Sequence, residues 1–160
     1  MRFSALTVAK LIKKVDKNTI IILGGSHATF FPEQILQHYP EIDYIVLGEG
    51  EYTFFELVKG LREKKDLRNI SGIAFKENNN IIITSAREVI KNLDEIPFPA
   101  HHFVQWHRYT PSGVDRRDWK ATGRKYAVMI TSRGCPYNCT YCSVIAFWGR
   151  KYIDAEHQKM

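Results

Sequence analysis

The chain has 160 residues, 44% of them hydrophobic and 12% aromatic, which supplies core material for one buried domain or two small ones and argues against a largely disordered chain. No run approaches the roughly 18 apolar residues of a membrane span. The opening MRFSALTVAKLIKKVDK lacks the apolar centre and cleavage site of a secretory signal, so a cytoplasmic chain is expected. The net charge of +6 lies in the second half, densest in RRDWKATGRKYAVMITSR, where Arg116, Arg117, Lys120, Arg124, Lys125 and Arg133 face only Asp118. That run is either a solvated loop or an attraction for an anionic cofactor or acidic partner. It is not interleaved with a nucleic-acid-binding motif, so no nucleic-acid partner is expected.

In chain order, residues 4–17 predict an amphipathic helix with Val8, Leu11, Ile12 and Val15 along one face. TIIIL is a β-branched run closed by Gly24 and Gly25, as a strand buried on both faces would be. A helix is predicted from Pro32, with Thr29 upstream as a candidate cap. DYIVLGEGE repeats the strand-then-glycine pattern, and Phe54, Leu57, Val58 and Leu61 mark a further helix ending near Lys64. Helix, strand, helix, strand, helix implies right-handed crossovers and a parallel sheet, an α/β fold of Rossmann-like type.

GIAFKENNNIIIT then places two strand-like runs around an Asn-rich turn, which predicts a β-hairpin appendage. Two prolines in NLDEIPFPAHHF break regular structure, so a domain boundary is placed near residues 92–100. KYAVMITS is the next predicted strand, and it runs directly into TSRGCPYNCTYCS, which holds all three cysteines. Both ends of the chain read as cut, and it is expected to be an internal piece of a larger protein.

Cys135, Cys139 and Cys142 are spaced Cys-x-x-x-Cys-x-x-Cys. A disulfide would leave one thiol over and is unusual in a cytoplasmic chain. Structural zinc needs four ligands, and His101, His102 and His107 upstream have no regular zinc-finger offset. An iron–sulfur cube held by three thiolates leaves one iron open to a ligand that is not protein. Gly134 and Pro136 suit a tight loop around such a cluster, and equally an ordinary turn.

The strand followed by RGCPYNCTYCS resembles the cluster loop of the radical S-adenosylmethionine enzymes. The resemblance implies that Cys135, Cys139 and Cys142 bind three irons of a 4Fe-4S cluster, that S-adenosylmethionine chelates the fourth, and that Tyr141 packs near the adenine. The alternative for Tyr141 is an ordinary core aromatic. Reductive cleavage of S-adenosylmethionine to a 5′-deoxyadenosyl radical is the implied chemistry, fed by a low-potential donor such as ferredoxin or flavodoxin and directed at a small-molecule substrate.

ILGGSHATFFPEQIL and DYIVLGEGEYTFFEL, taken with GIAF and LDEIPFPA, extend the resemblance to radical enzymes with an N-terminal cobalamin-binding domain, a family that includes methyltransferases and an anaerobic ring cyclase. It implies cobalamin as a further cofactor, with Gly24, Gly25, Ser26 and His27 beside its nucleotide tail and Glu49 as a neighbour. Gly24-Gly25 as a plain strand-to-helix turn, and Glu49 and Glu51 as complements to a helix start, are the alternatives. The Asp-x-His-x-x-Gly segment that supplies a lower axial histidine in many such domains is absent. The expected organisation is a partial cobalamin-binding Rossmann-like domain at 1–91, a linker at 92–124, and at 125–160 the start of a radical S-adenosylmethionine (β/α) barrel. Most of that barrel is expected to lie outside a chain with only 18 residues after Cys142. A stand-alone cobalamin- or nucleotide-binding module and a zinc-stabilised interaction protein are the competing functions.

Overall fold

The computed structural model describes residues 2–105 and 130–155, with side chains from residue 4. Its elements are α1 (Arg2–Val15), β1 (Ile22–Leu23), α2 (Ser26–Phe30), α3 (Pro32–His38), β2 (Tyr44–Val46), α4 (Gly50–Glu63), β3 (Ile73–Glu77), β4 (Asn80–Ile83), β5 (Ser132–Arg133), α5 (Val144–Trp148) and β6 (Ile153–Asp154). Short 3-10 turns lie at Leu67–Asn69, Leu93–Glu95 and His101–Phe103. Among the described residues no helix is long and apolar enough to cross a membrane.

The main sheet has the order β1-β2-β3-β4. β1 and β2 are parallel, with Ile22 opposite Tyr44, as the crossover pattern predicts. The expected hairpin is present, and it continues the sheet instead of standing apart, because β3 pairs antiparallel with β2. Its turn residues Asn78 and Asn79 both take positive φ, 49° and 66°. That is the geometry of a two-residue turn whose twist matches the flanking strands, and asparagine tolerates it better than most side chains.

Alternation along β2 divides the core. Ile45 faces a cluster with Leu6, Ala9, Ala28, Ile35 and Leu36 beneath α1–α3. Val46 faces a second cluster with Leu57, Ile70, Ile73 and Phe75 beneath α4. Thr53, fully buried on α4, is satisfied by Arg87, whose Nε donates to its hydroxyl at 2.7 Å. A third cluster joins Ile90 and Leu93 to Ile153 of β6, so the start of the expected linker is folded onto the cysteine-bearing segment.

Two helix faces differ from expectation. On α1 the predicted stripe is exposed, from 37% at Ile12 to 90% at Val15, while Leu6 and Ala9 are buried. The small side chain of Ala9 allows the helix to approach the sheet, and Lys13 Nζ locks it there through Asp43 at 2.8 Å. On α4, Leu57 is buried and Leu61 packs against the core, but Phe54 and Val58 are 51% and 44% exposed, the buried face running instead through Thr53, Leu57 and Gly60. A short helix, α2, precedes the predicted start at Pro32, and Thr29 does not cap α3, whose N-cap is Phe31. Of the predicted strand KYAVMITS only the end is described, and His107 and the basic run from Arg116 to Lys125 lie outside the described residues.

Ile45→Ala, at a position with no exposure, is expected to lower stability by about 2–5 kcal/mol through lost transfer and cavity terms. Val15→Ala is expected to change it by no more than about 0.5 kcal/mol. Urea denaturation of the two variants checks both values, and a Val15 effect as large as that of Ile45 would mean that the exposed face of α1 is packed.

Candidate functional site

β1 and β2 run in the same direction and end beside each other in Gly24-Gly25 and Gly48. Gly25 and Gly48 have φ of 90° and 64°, and a Cβ on either would meet nothing within 4 Å. Both glycines therefore answer to backbone conformation, and both leave open space next to the chain. The hydroxyl of Thr29 ties the two loops together, donating to Gly25 O at 3.0 Å and accepting from Gly48 N–H at 3.0 Å.

Over these loops lies a cavity of about 890 Å³. Gly24, Gly25, Ser26, Gly48 and the start of α4 form one wall, and Ser143, Val144, Phe147 and Trp148 form the other. The carboxyl ends of parallel strands are where open α/β sheets take ligands, and the volume falls in the ordinary range for such sites. The second wall is supplied by α5, the helix that follows Cys142 directly. An edge-on contact between Phe30 of α2 and Phe147, with ring centroids 6.1 Å apart, draws the two walls together.

The predicted site residues divide accordingly. Gly24, Gly25 and Ser26 line the cavity. His27 turns away to a separate groove of about 370 Å³ with Leu6 and Tyr39, its ring 5.2 Å from that of Phe31. Glu49 is outside the cavity with both oxygens engaged: Oε2 accepts the Ile90 N–H, and Oε1 accepts from Arg133 Nη1 at 2.8 Å. Tyr141 is 91% exposed and packs in no core.

The cysteine loop is folded back on the segment before β6. Cys135 N–H donates to Gly149 O at 3.4 Å, Cys142 N–H to Cys139 O at 3.2 Å, and Arg150 Nη2 to Asn138 Oδ1 at 3.0 Å. All three thiols are free, two half-buried and Cys139 exposed. Among the described residues no three His, Cys, Asp or Glu side chains gather where a single metal ion would need them. A cubane makes a different demand, because each thiolate binds its own iron.

Arg133, two residues before Cys135, was grouped by sequence with the basic run, and the structure gives it a different task. Its side chain is only 9% exposed, paired with Glu49 and with Glu51 of α4, and its guanidinium lies 5.0 Å from the Trp148 ring centroid. Burial alone pulls its pKa down, but the hydrogen bonds and charges of Glu49 and Glu51 outweigh burial and hold it above the usual arginine value. Sequence reasoning also missed Gly48, Phe54, Phe147 and Trp148. Gly48 stands in the GEGE stretch already noticed, whereas the aromatic pair sits on a five-residue helix too short to show a period.

A family model for a B12 binding domain matches residues 2–58. An uncharacterized methyltransferase of Pyrococcus horikoshii is 39% identical over 150 residues, 94% of this chain and 30% of that protein. An anaerobic magnesium-protoporphyrin IX monomethyl ester cyclase of Cereibacter sphaeroides is 34% identical over 154 residues, 94% of this chain and 24% of that one. Among solved structures, the cobalamin-dependent S-adenosylmethionine radical enzyme OxsB, with aqua-cobalamin and S-adenosylmethionine bound, superposes with a TM-score of 0.66 at 27% identity, over 94% of this chain and 19% of its own. This chain is a homologue of the cobalamin-dependent radical S-adenosylmethionine enzymes. It spans 30% or less of the length of these relatives. Its mixed sheet corresponds to their cobalamin-binding Rossmann-like domain, and the match continues through the cysteine loop.

Within this homologue the loop makes one sharp steric demand. A Cβ on Gly134, where φ is 79°, would fall 2.0 Å from the Lys151 carbonyl oxygen, whereas one on Gly149, also at φ 79°, would meet nothing within 4 Å. Gly134→Ala and Gly149→Ala share the backbone strain, but only the first forces the chain apart. Gly134→Ala is expected to cost at least about 1 kcal/mol more in chemical denaturation, within the range for strained sites. Equal losses would mean that the loop does not pack against Lys151.

Proposed function

We propose that this chain is the cofactor-holding part of a cobalamin-dependent radical S-adenosylmethionine enzyme. In this reading residues 1–91 bind cobalamin, 92–124 form a linker, and 125–160 begin the radical domain, with Cys135, Cys139 and Cys142 as ligands of a 4Fe-4S cluster. The observation that carries it is the two-walled cavity: glycine loops of the B12-type layer on one side, and on the other the helix that emerges from the cysteine loop. The residues fit both groups. Open space at Gly25 and Gly48 admits a bulky cofactor to the backbone, and three free thiols on one loop offer three thiolates with a fourth position left for S-adenosylmethionine.

When bound, the cluster supplies the electron that cleaves S-adenosylmethionine, and cobalamin supplies a carrier for methyl transfer or a partner in oxidative cyclisation. The protein's own contribution is placement. Gly24, Gly25 and Ser26 present backbone and hydroxyl groups to the nucleotide tail, and Phe147 and Trp148 keep water from the far side. The exposed ring of Tyr141 has a free face for the adenine. A small molecule is the proposed substrate and a ferredoxin- or flavodoxin-like protein the proposed electron donor.

Anaerobic reconstitution of the full chain with iron and sulfide, followed by EPR of the reduced protein with and without S-adenosylmethionine, tests the cluster, and titration with aquacobalamin tests the cavity. The expected result is a cubane signal that shifts on adding S-adenosylmethionine, together with saturable cobalamin binding. Cys139→Ala is expected to lose nearly all bound iron while keeping cobalamin binding. One zinc per chain with no iron uptake would sink the cluster assignment.

A further inference from the structure

The Arg133 side chain joins three parts of the molecule at one buried point. It leaves β5 just before the cysteine loop, donates to Glu49 and Glu51 at the start of α4, and stacks on Trp148 of α5. Two of those partners, Glu51 and Trp148, line the cavity. The third, Glu49, also accepts the N–H of Ile90, and Ile90 packs with Leu93 and Ile153 of β6. A guanidinium with this little exposure is not available to an anionic partner in solution, so its charge is spent inside the protein. Its planar fork spans two carboxylates at once, which the single charged point of lysine does not do. Its Nε has no hydrogen-bond partner among the described residues, so the site is built around the two terminal nitrogens.

We propose that Arg133 is a positioning residue that couples the two cofactor sites, holding the cysteine loop against the cobalamin cavity so that filling one site favours filling the other. The inference rests on the cofactor assignment above. A ligand that fills the cavity touches both walls, and the second wall is held by the same side chain that holds the start of the cysteine loop. Ordering the loop by loading the cluster therefore orders the wall, and by linkage a ligand in the cavity favours the loaded loop by the same factor.

The test is the aquacobalamin dissociation constant of the full chain, measured by absorbance titration in cluster-free and cluster-loaded forms. Wild type is expected to bind roughly tenfold more tightly when loaded, within the usual range of such couplings. Arg133→Gln is expected to take up iron and to bind cobalamin with a loaded-to-free ratio near one, and Arg133→Lys to fall between. A merely structural role would weaken binding in both forms and leave the ratio unchanged, and that result in Arg133→Gln overturns the proposal. If circular dichroism shows Arg133→Gln unfolded, Glu51→Gln replaces it. That variant removes one partner at a half-exposed position, and a ratio that stays at the wild-type value overturns the proposal equally. Wild type that binds no cobalamin in either form defeats the cofactor assignment itself, whereas tight binding with no dependence on the cluster defeats only the coupling.

Discussion

A buried cation must be paired, and pairing fixes whatever carries it. Arg133 meets that condition with two carboxylates at the start of α4, the N-cap Glu49 and Glu51 of the first turn. Removing one partner of such a buried pair typically costs about 3–5 kcal/mol, because the other is left charged and dry. Its folded pKa lies above the ordinary value, so the arginine itself stays charged through neutrality and its own titration would weaken the pairing only as pH rises through the folded value. That window is far above neutrality. The clamp is therefore constant under cellular conditions, and the cysteine loop, which begins at the next residue, inherits its position.

The layer beneath is arranged so that this clamp has a cavity beside it. β1 and β2 end together, and β3 approaches from the opposite direction, with Ile73 opposite Val46. Leu47 N–H donates to Gly72 O at 2.8 Å and Gly72 N–H to Ser85 O at 2.8 Å, so the sheet remains hydrogen-bonded beyond β2 on the β3 side. Gly72 has φ 81° and a hypothetical Cβ would crowd Thr53 Oγ1 at 3.2 Å, which keeps that side close-packed. Open space consequently falls on the β1 side, between the two glycine loops. Antiparallel continuation of the sheet and the placement of the cavity are one structural fact seen from two sides.

Local patterns were legible in the sequence and distant pairings were not. The β-branched runs at 20–23 and 81–83 and the asparagine turn are properties of adjacent residues, and a strand within each run and the turn between β3 and β4 appear as expected. The buried face of α1 was misjudged because the helix carries two apolar sets. Periodicity favours the larger residues Val8, Leu11, Ile12 and Val15, but docking is decided by how near the backbone can come, and that selects Leu6 and Ala9. The partnership of Arg133 with Glu49 spans 84 positions and has no sequence offset to reveal it. In the same way, the role of Phe147 and Trp148 depends on where a short helix lands on another layer.

The cavity's chemistry narrows what recognition can rest on. Among the described residues that line it, Glu51 alone has an acidic or basic side chain, and its carboxylate is already paired with Arg133. His27, the imidazole next in sequence to the glycine loop, faces Phe31 in another groove. What the cavity offers a ligand is therefore the backbone at Gly24, Gly25 and Gly48, the hydroxyls of Ser26 and Ser143, and the apolar surfaces of Phe54, Phe147 and Trp148. Binding of that kind would be sensitive to shape, because hydrogen bonds to fixed backbone and buried aromatic area both fall away with small displacements of the walls. Wall spacing thus becomes the quantity that the fold must control, and the buried arginine paired with Glu51 and stacked on Trp148 joins the Phe30–Phe147 contact in setting it.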